Sequence, residues 1–171
     1  MKIITLLITT VFILASCKEI VNKVRIDEKT GKPMLVGITE RSAFELPDFA
    51  EWYNDEYFGY EPDEFLIEQI KNLSDNIDIQ IFMGTWCSDS GREVPRFLKI
   101  LDAANYEQKK LQLISVDRQK RSPTHEEKNK NIEFVPTFII NKNGNEIGRI
   151  VEFPIITLES DLQSILLGIE P

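Results

Sequence analysis

Around Ile77 the chain alternates apolar and polar residues, Ile77-Asp78-Ile79-Gln80-Ile81, and then runs apolar through Phe82-Met83. That is the pattern of a strand entering a core. The same test predicts strands at Met34–Ile38, Leu111–Val116, Phe134–Ile140 (which contains Pro136) and Glu146–Val151. Asn143-Gly144 between the last two suits a tight hairpin turn, because both central residues of that turn need positive φ. Helical spacing alternates with the strands. Leu66, Ile70 and Leu73 share one face of a helix opened by Pro62, with Asp63 and Glu64 in its first turn. Val94, Phe97, Leu98 and Leu101 share a face of a helix over 88–104, interrupted by Pro95. Ser122-Pro123 reads as a helix start. Thr157 caps a last helix with Leu158, Leu162, Ile165 and Leu166 inward, and Gly168 ends it. Pro47-Asp48 opens a further helix in the aromatic stretch Phe44 to Tyr60, whose rings read as core packing. Strand and helix alternating in this way predict an α/β fold, a central mixed sheet with helices on both faces.

Two terminal segments fall outside that pattern. Lys2 precedes an uncharged, mostly apolar run to Leu14, followed by the small residues Ala15 and Ser16 and then Cys17. A basic start, a short apolar run and a small-residue end describe a secretory signal peptide over 1–16. Leu14-Ala15-Ser16-Cys17 resembles a bacterial lipobox, which implies lipidation of Cys17, a membrane partner through that lipid anchor, and a place in the bacterial cell envelope outside the cytoplasm. Residues 17–32 read as a polar tether and 33–171 as one domain.

Composition narrows the chemistry. The chain has 171 residues, the length of one domain, and 20 basic against 28 acidic side chains give a net charge of −8. A nucleic-acid partner is not expected, since it would call for a basic face. Two cysteines exclude a disulfide framework and a four-cysteine zinc site, and one histidine, His125, excludes a site needing two imidazoles. No metal and no organic cofactor are expected. With Cys17 lipidated, Cys87 is the remaining thiol. It follows a core strand and opens a helix, where free backbone N–H groups and the helix dipole favour a thiolate. Asp89 opposes this with a negative charge.

Thr85-Trp86-Cys87-Ser88-Asp89-Ser90 resembles the active-site turn of the thioredoxin superfamily, where Trp-Cys-x-x-Cys joins a strand to a helix. Pro95, eight residues after Cys87, stands where that helix carries its proline. Val135-Pro136-Thr137 resembles the family's cis-proline turn, and 142–146 the hairpin after it. The resemblance covers about 77–168. It implies a thioredoxin-like fold, Cys87 as the attacking thiol, and a groove of Trp86, Val135 and Pro136 that pairs with an extended substrate strand. Ser90 replaces the second cysteine, and Ile81 stands where many members carry a buried acid. Ser90 Oγ is expected to donate a hydrogen bond to the Cys87 thiolate, but it cannot resolve a mixed disulfide. Three readings follow. The first is a monothiol oxidoreductase-like protein acting on extracytoplasmic protein or small-molecule thiols and disulfides. The second is a redox-inactive binding module. The third is a peroxide-reducing thiol enzyme, whose family motif is missing at Gln80 and Gly84.

Overall fold

A computed structural model describes residues 21–169. The segment 1–20, with the expected signal peptide and Cys17, lies outside the described residues. Six strands, β1 (Lys23–Ile26), β2 (Pro33–Thr39), β3 (Ile77–Met83), β4 (Leu111–Ser115), β5 (Thr137–Lys142) and β6 (Asn145–Val151), form one sheet in the order β1-β2-β4-β3-β5-β6. β3 and β4 run parallel and every other neighbouring pair antiparallel, so the sheet is mixed. The helices are α1 (Pro47–Gly59), α2 (Glu64–Leu73), α3 (Ser88–Ala103) and α4 (Leu158–Leu167).

Alternation along β3 decides which face each side chain takes. Ile77, Ile79, Ile81 and Met83 join one buried cluster with side chains from all four helices, among them Phe49, Ile70, Phe97, Leu101 and Leu162. Phe82 points the other way, into a smaller cluster with Ile114, Val116, Val135 and Ile139. Trp86, Cys87 and Ile132 pack against this second cluster. The mixed sheet packed with helices is the α/β architecture expected, and around the smaller cluster the sheet is covered by loop and by the residues that carry the candidate chemistry.

The cause is local. Residues 122–131 form turns and not the helix expected after Ser122-Pro123. Ser122 Oγ accepts the Glu126 N–H (3.0 Å), one residue beyond the two donors an N-cap takes. The Glu126 and Glu127 carboxylates then fold back onto Ser122 Oγ, and positive φ at His125, Asn129 and Asn131 stops propagation. His125 is exposed beside Glu127.

Two boundaries move for similar reasons. The polar stretch expected as a tether contains β1, which pairs with β2 from Lys23–Val36 to Ile26–Pro33. Exposed on most of its length, β1 is held by its ladder and its turn, so hydrophobic periodicity had nothing to register. Asp63 caps α2 from outside the helix, accepting from Phe65 N–H (2.9 Å) and Leu66 N–H (3.0 Å), and the buried positions are Ile67 and Ile70. α4 is capped as expected by Thr157, and Gly168 ends it in the left-handed region at φ 70°. Gly148 on β6 lets α4 approach closely: a Cβ there would lie 2.8 Å from Ile165 Cγ2.

Candidate functional site

The site forms where β3 ends and α3 begins. Cys87 is the N-cap residue of α3, with extended backbone at φ −104° and ψ 126°. Its N–H donates to the Gly84 carbonyl (2.9 Å) and its carbonyl accepts from Gly91 (3.0 Å), which closes the turn into the helix. The Val135–Pro136 peptide is cis. The Val135 carbonyl faces the sulfur and accepts the Cys87 thiol hydrogen at 3.2 Å. Cys87, Val135 and Pro136, separated by nearly fifty positions, thus meet at one point, and β5 starts only at Thr137, after the proline.

Trp86 is placed by three contacts. Its Nε1–H donates to the Val116 carbonyl (2.9 Å). Its indole lies on Gly84, where an added Cβ would come within 2.6 Å of the ring. The Arg118 guanidinium covers it, 4.9 Å from the ring centroid. Thr85 Oγ1 accepts the Leu35 N–H (3.0 Å) and ties the turn to β2. A cleft of about 480 Å³ opens in front of the half-buried sulfur, lined by Trp52, Asp55, Glu56, Thr85, Trp86, Cys87, Ser88, Gly91 and Arg92. Trp52 also packs edge-on against Phe44 and Phe49, so the aromatic stretch read as core supplies one wall of the cleft.

Ser90 takes a place different from the expected one. It is fully buried, and its Oγ accepts the Gly84 N–H at 3.1 Å. No hydrogen bond joins it to the Cys87 sulfur among the described residues. The hydroxyl satisfies a buried backbone donor of the active turn. Asp89 is likewise not a free charge, because Arg92 Nη2 pairs with it at 2.9 Å and Arg92 Nε pairs with Glu93 at 2.6 Å.

One pair went unnoticed in the sequence. Asp27, in the β1–β2 turn, is 2% exposed and accepts from Arg118 Nε (2.8 Å), Arg118 Nη2 (2.7 Å), Thr30 Oγ1 (2.6 Å) and Lys29 N–H (3.2 Å). The Arg118 fork and the Thr30 hydroxyl hold its carboxyl well below the usual carboxylate range. The Asp27-x-x-Thr30-Gly31 run carried a readable turn signal, with an Asp side chain bonding the backbone two residues on. Nothing local pointed to Arg118.

A strand followed by a short turn into Trp-Cys at a helix start, with the carbonyl of the residue before a cis-proline on the sulfur, defines a thioredoxin-like site. The family model described as thioredoxin matches residues 49–161, and the chain belongs to that family. Solved structures similar to it include a protein of unknown function from Pseudomonas aeruginosa (14% identity, TM-score 0.44, 68% of this chain and 76% of that one). Another is oxidised mitochondrial thioredoxin 3 from Saccharomyces cerevisiae (23% identity, TM-score 0.32, 50% of this chain and 76% of that one). No curated protein matches the chain. Among the described residues no helix is long and apolar enough to cross a membrane.

Proposed function

We propose that the protein is a monothiol thiol–disulfide exchange protein acting through Cys87. The observation that carries this reading is the sulfur itself, half-buried at the α3 N-cap and opening into the cleft beside Trp86. In the reaction the Cys87 thiolate attacks one sulfur of a disulfide R–S–S–R′. The S–S bond breaks, a Cys87–S–S–R bond forms, and R′–S⁻ leaves and takes up a proton. A second thiol X–SH, small or carried by a partner protein, then attacks as its thiolate the R sulfur of the mixed disulfide: the bond to Cys87 breaks, an X–S–S–R disulfide forms, and Cys87 leaves as the thiolate that began the cycle. Ser90, with its oxygen bound to Gly84 N–H, has no part in that release. Trp86 and Ser88 line the cleft beside the sulfur and suit an extended peptide carrying the disulfide, whereas Val135 and Pro136 are buried and do not line that cleft.

We also propose that Cys17 is lipidated and the protein anchored in a bacterial envelope, on the strength of the lipobox pattern.

The test is incubation of the purified Cys17→Ala chain with oxidised glutathione as probe. A mixed disulfide on Cys87, found by mass and absent in Cys87→Ala, is the expected result. No adduct on the folded protein would refute exchange chemistry. It would leave the redox-inactive binding module, which one contact favours: the thiol hydrogen is already engaged by the Val135 carbonyl. Lipidation is tested separately, by incorporation of a labelled fatty acid that Cys17→Ala abolishes.

A further inference from the structure

Arg118 reaches the site from an unexpected direction. It follows β4, yet its guanidinium is oriented by Asp27 from the β1–β2 turn, which precedes the family-matched region. The Asp27 carboxylate is fixed before it meets Arg118, since the turn's own Lys29 N–H and Thr30 hydroxyl bind it. Both of its oxygens then take the Arg118 fork, Nε to Oδ1 and Nη2 to Oδ2. A bidentate pair of this kind fixes the plane as well as the place of the guanidinium. That plane lies over Trp86, the residue before the thiol, with Gly84 beneath the indole. The stack Gly84–Trp86–Arg118–Asp27 therefore sets one wall of the site.

We propose that Arg118, oriented by Asp27, is a positioning residue for Cys87: it braces Trp86 and keeps a fixed positive charge beside the sulfur. This rests on the exchange reading above and deepens it. Arg118 does not line that cleft but adjoins Trp86 in the neighbouring pocket, and the charges that do line the cleft supply no such cation. Arg92 is shared between two carboxylates, Asp89 and Glu93, against the single carboxylate on Arg118, while Glu56 is paired with Arg96 and Asp55 adds a negative charge. The Arg118 guanidinium lies over the ring of Trp86, the residue next to Cys87, so its charge stands one side chain away from the sulfur's own residue. A mere structural clamp would need the fork but not the charge. A charge device needs both, so the two make different forecasts.

The experiment compares alkylation rates of Cys87 by iodoacetate and by iodoacetamide in the full chain carrying Cys17→Ala. Both reagents attack the same thiolate, so its amount cancels in the ratio, and the ratio reads the local charge. Arg118→Met is expected to lower the iodoacetate preference by about twofold or more, and Arg118→Lys to lower it less, since lysine keeps the charge without the fork. Asp27→Asn is expected to lower it as well, because the guanidinium loses its orientation. A higher ratio in Asp27→Asn would mean that net charge alone acts, and would overturn the positioning role. An unchanged ratio in Arg118→Met would reduce the pair to a clamp. Should these variants fail to fold, the unsubstituted site still decides: added salt must lower the ratio, and a rise would mean a negative local field. No alkylation of the folded chain by either reagent overturns the inference. A ratio that responds while oxidised glutathione leaves no adduct refutes only the exchange reading.

Discussion

Replacing Ser90 with alanine separates two roles that sequence alone cannot distinguish. Ser90 Oγ is the acceptor for the Gly84 N–H at 3.1 Å, in a fully buried position. Ser90→Ala removes that acceptor and leaves no room for water to replace it. A buried donor stripped of its partner costs about 1–3 kcal/mol, the desolvation of an amide that has nowhere to turn. For a domain of this size each kcal/mol lowers Tm by about 2–4 °C, so a fall of about 2–12 °C is expected. The rate of Cys87 alkylation should change little, because the Cys87 thiol hydrogen goes to Val135 and not to residue 90. The assays are thermal unfolding followed by circular dichroism, and iodoacetamide alkylation of the folded protein. An unchanged Tm together with a several-fold change in alkylation rate would refute the reasoning, and would return the serine hydroxyl to the sulfur.

Other outcomes follow from particular contacts. Gly148→Ala places a Cβ 2.8–2.9 Å from Ile165 Cγ2 and Cγ1 and should cost about 1–3 kcal/mol in urea unfolding. Adding Ile165→Ala should lose less than the sum of the two single changes, and strict additivity would argue against the contact. The carboxyl of Asp27 is held low in the folded protein, so its stabilisation is present above its unfolded pKa of about 3.9 and is lost as pH falls through the folded value. The stability gap between the unsubstituted protein and Asp27→Asn should thus be complete at pH 7 and shrink below about pH 4. A gap that widened on acidification would contradict the pairing. Cys87→Ala should abolish the glutathione adduct without lowering Tm by more than a few degrees, in keeping with a half-buried side chain that spans no core gap.

Much of the fold was legible because its signals are local. β3, α3 and α4 announce themselves by alternation, a 3.6-residue stripe and caps that lie within a few positions of each other. The motif around Cys87, and the proline turn that meets it, were readable through the thioredoxin resemblance. What escaped depends on partners far along the chain. β1 has an almost fully exposed pattern and exists through pairing with β2. The failed helix after Ser122 had the sequence of a cap, but its serine hydroxyl is taken up by the Glu126 and Glu127 carboxylates. Asp27 and Arg118 are joined across 91 positions, as Arg41 and Asp102 are across 61, and no window on the sequence sees such pairs. Ser90 was legible as a missing cysteine and not as the acceptor of a backbone proton.

The two margins of the sheet have a bearing on how the protein lives at high local concentration. An unpaired strand edge is an invitation to another chain. Here one margin is β1, only four residues long and carrying Lys23 and Arg25, and the other is β6, whose pairing with β5 slips at Ile140/Asn141. Short length, positive charge and a broken register are each known deterrents to edge-to-edge growth. Molecules crowded side by side on a surface would therefore meet along poor templates, and would stay separate folded units where a flat, continuous edge would zip them together.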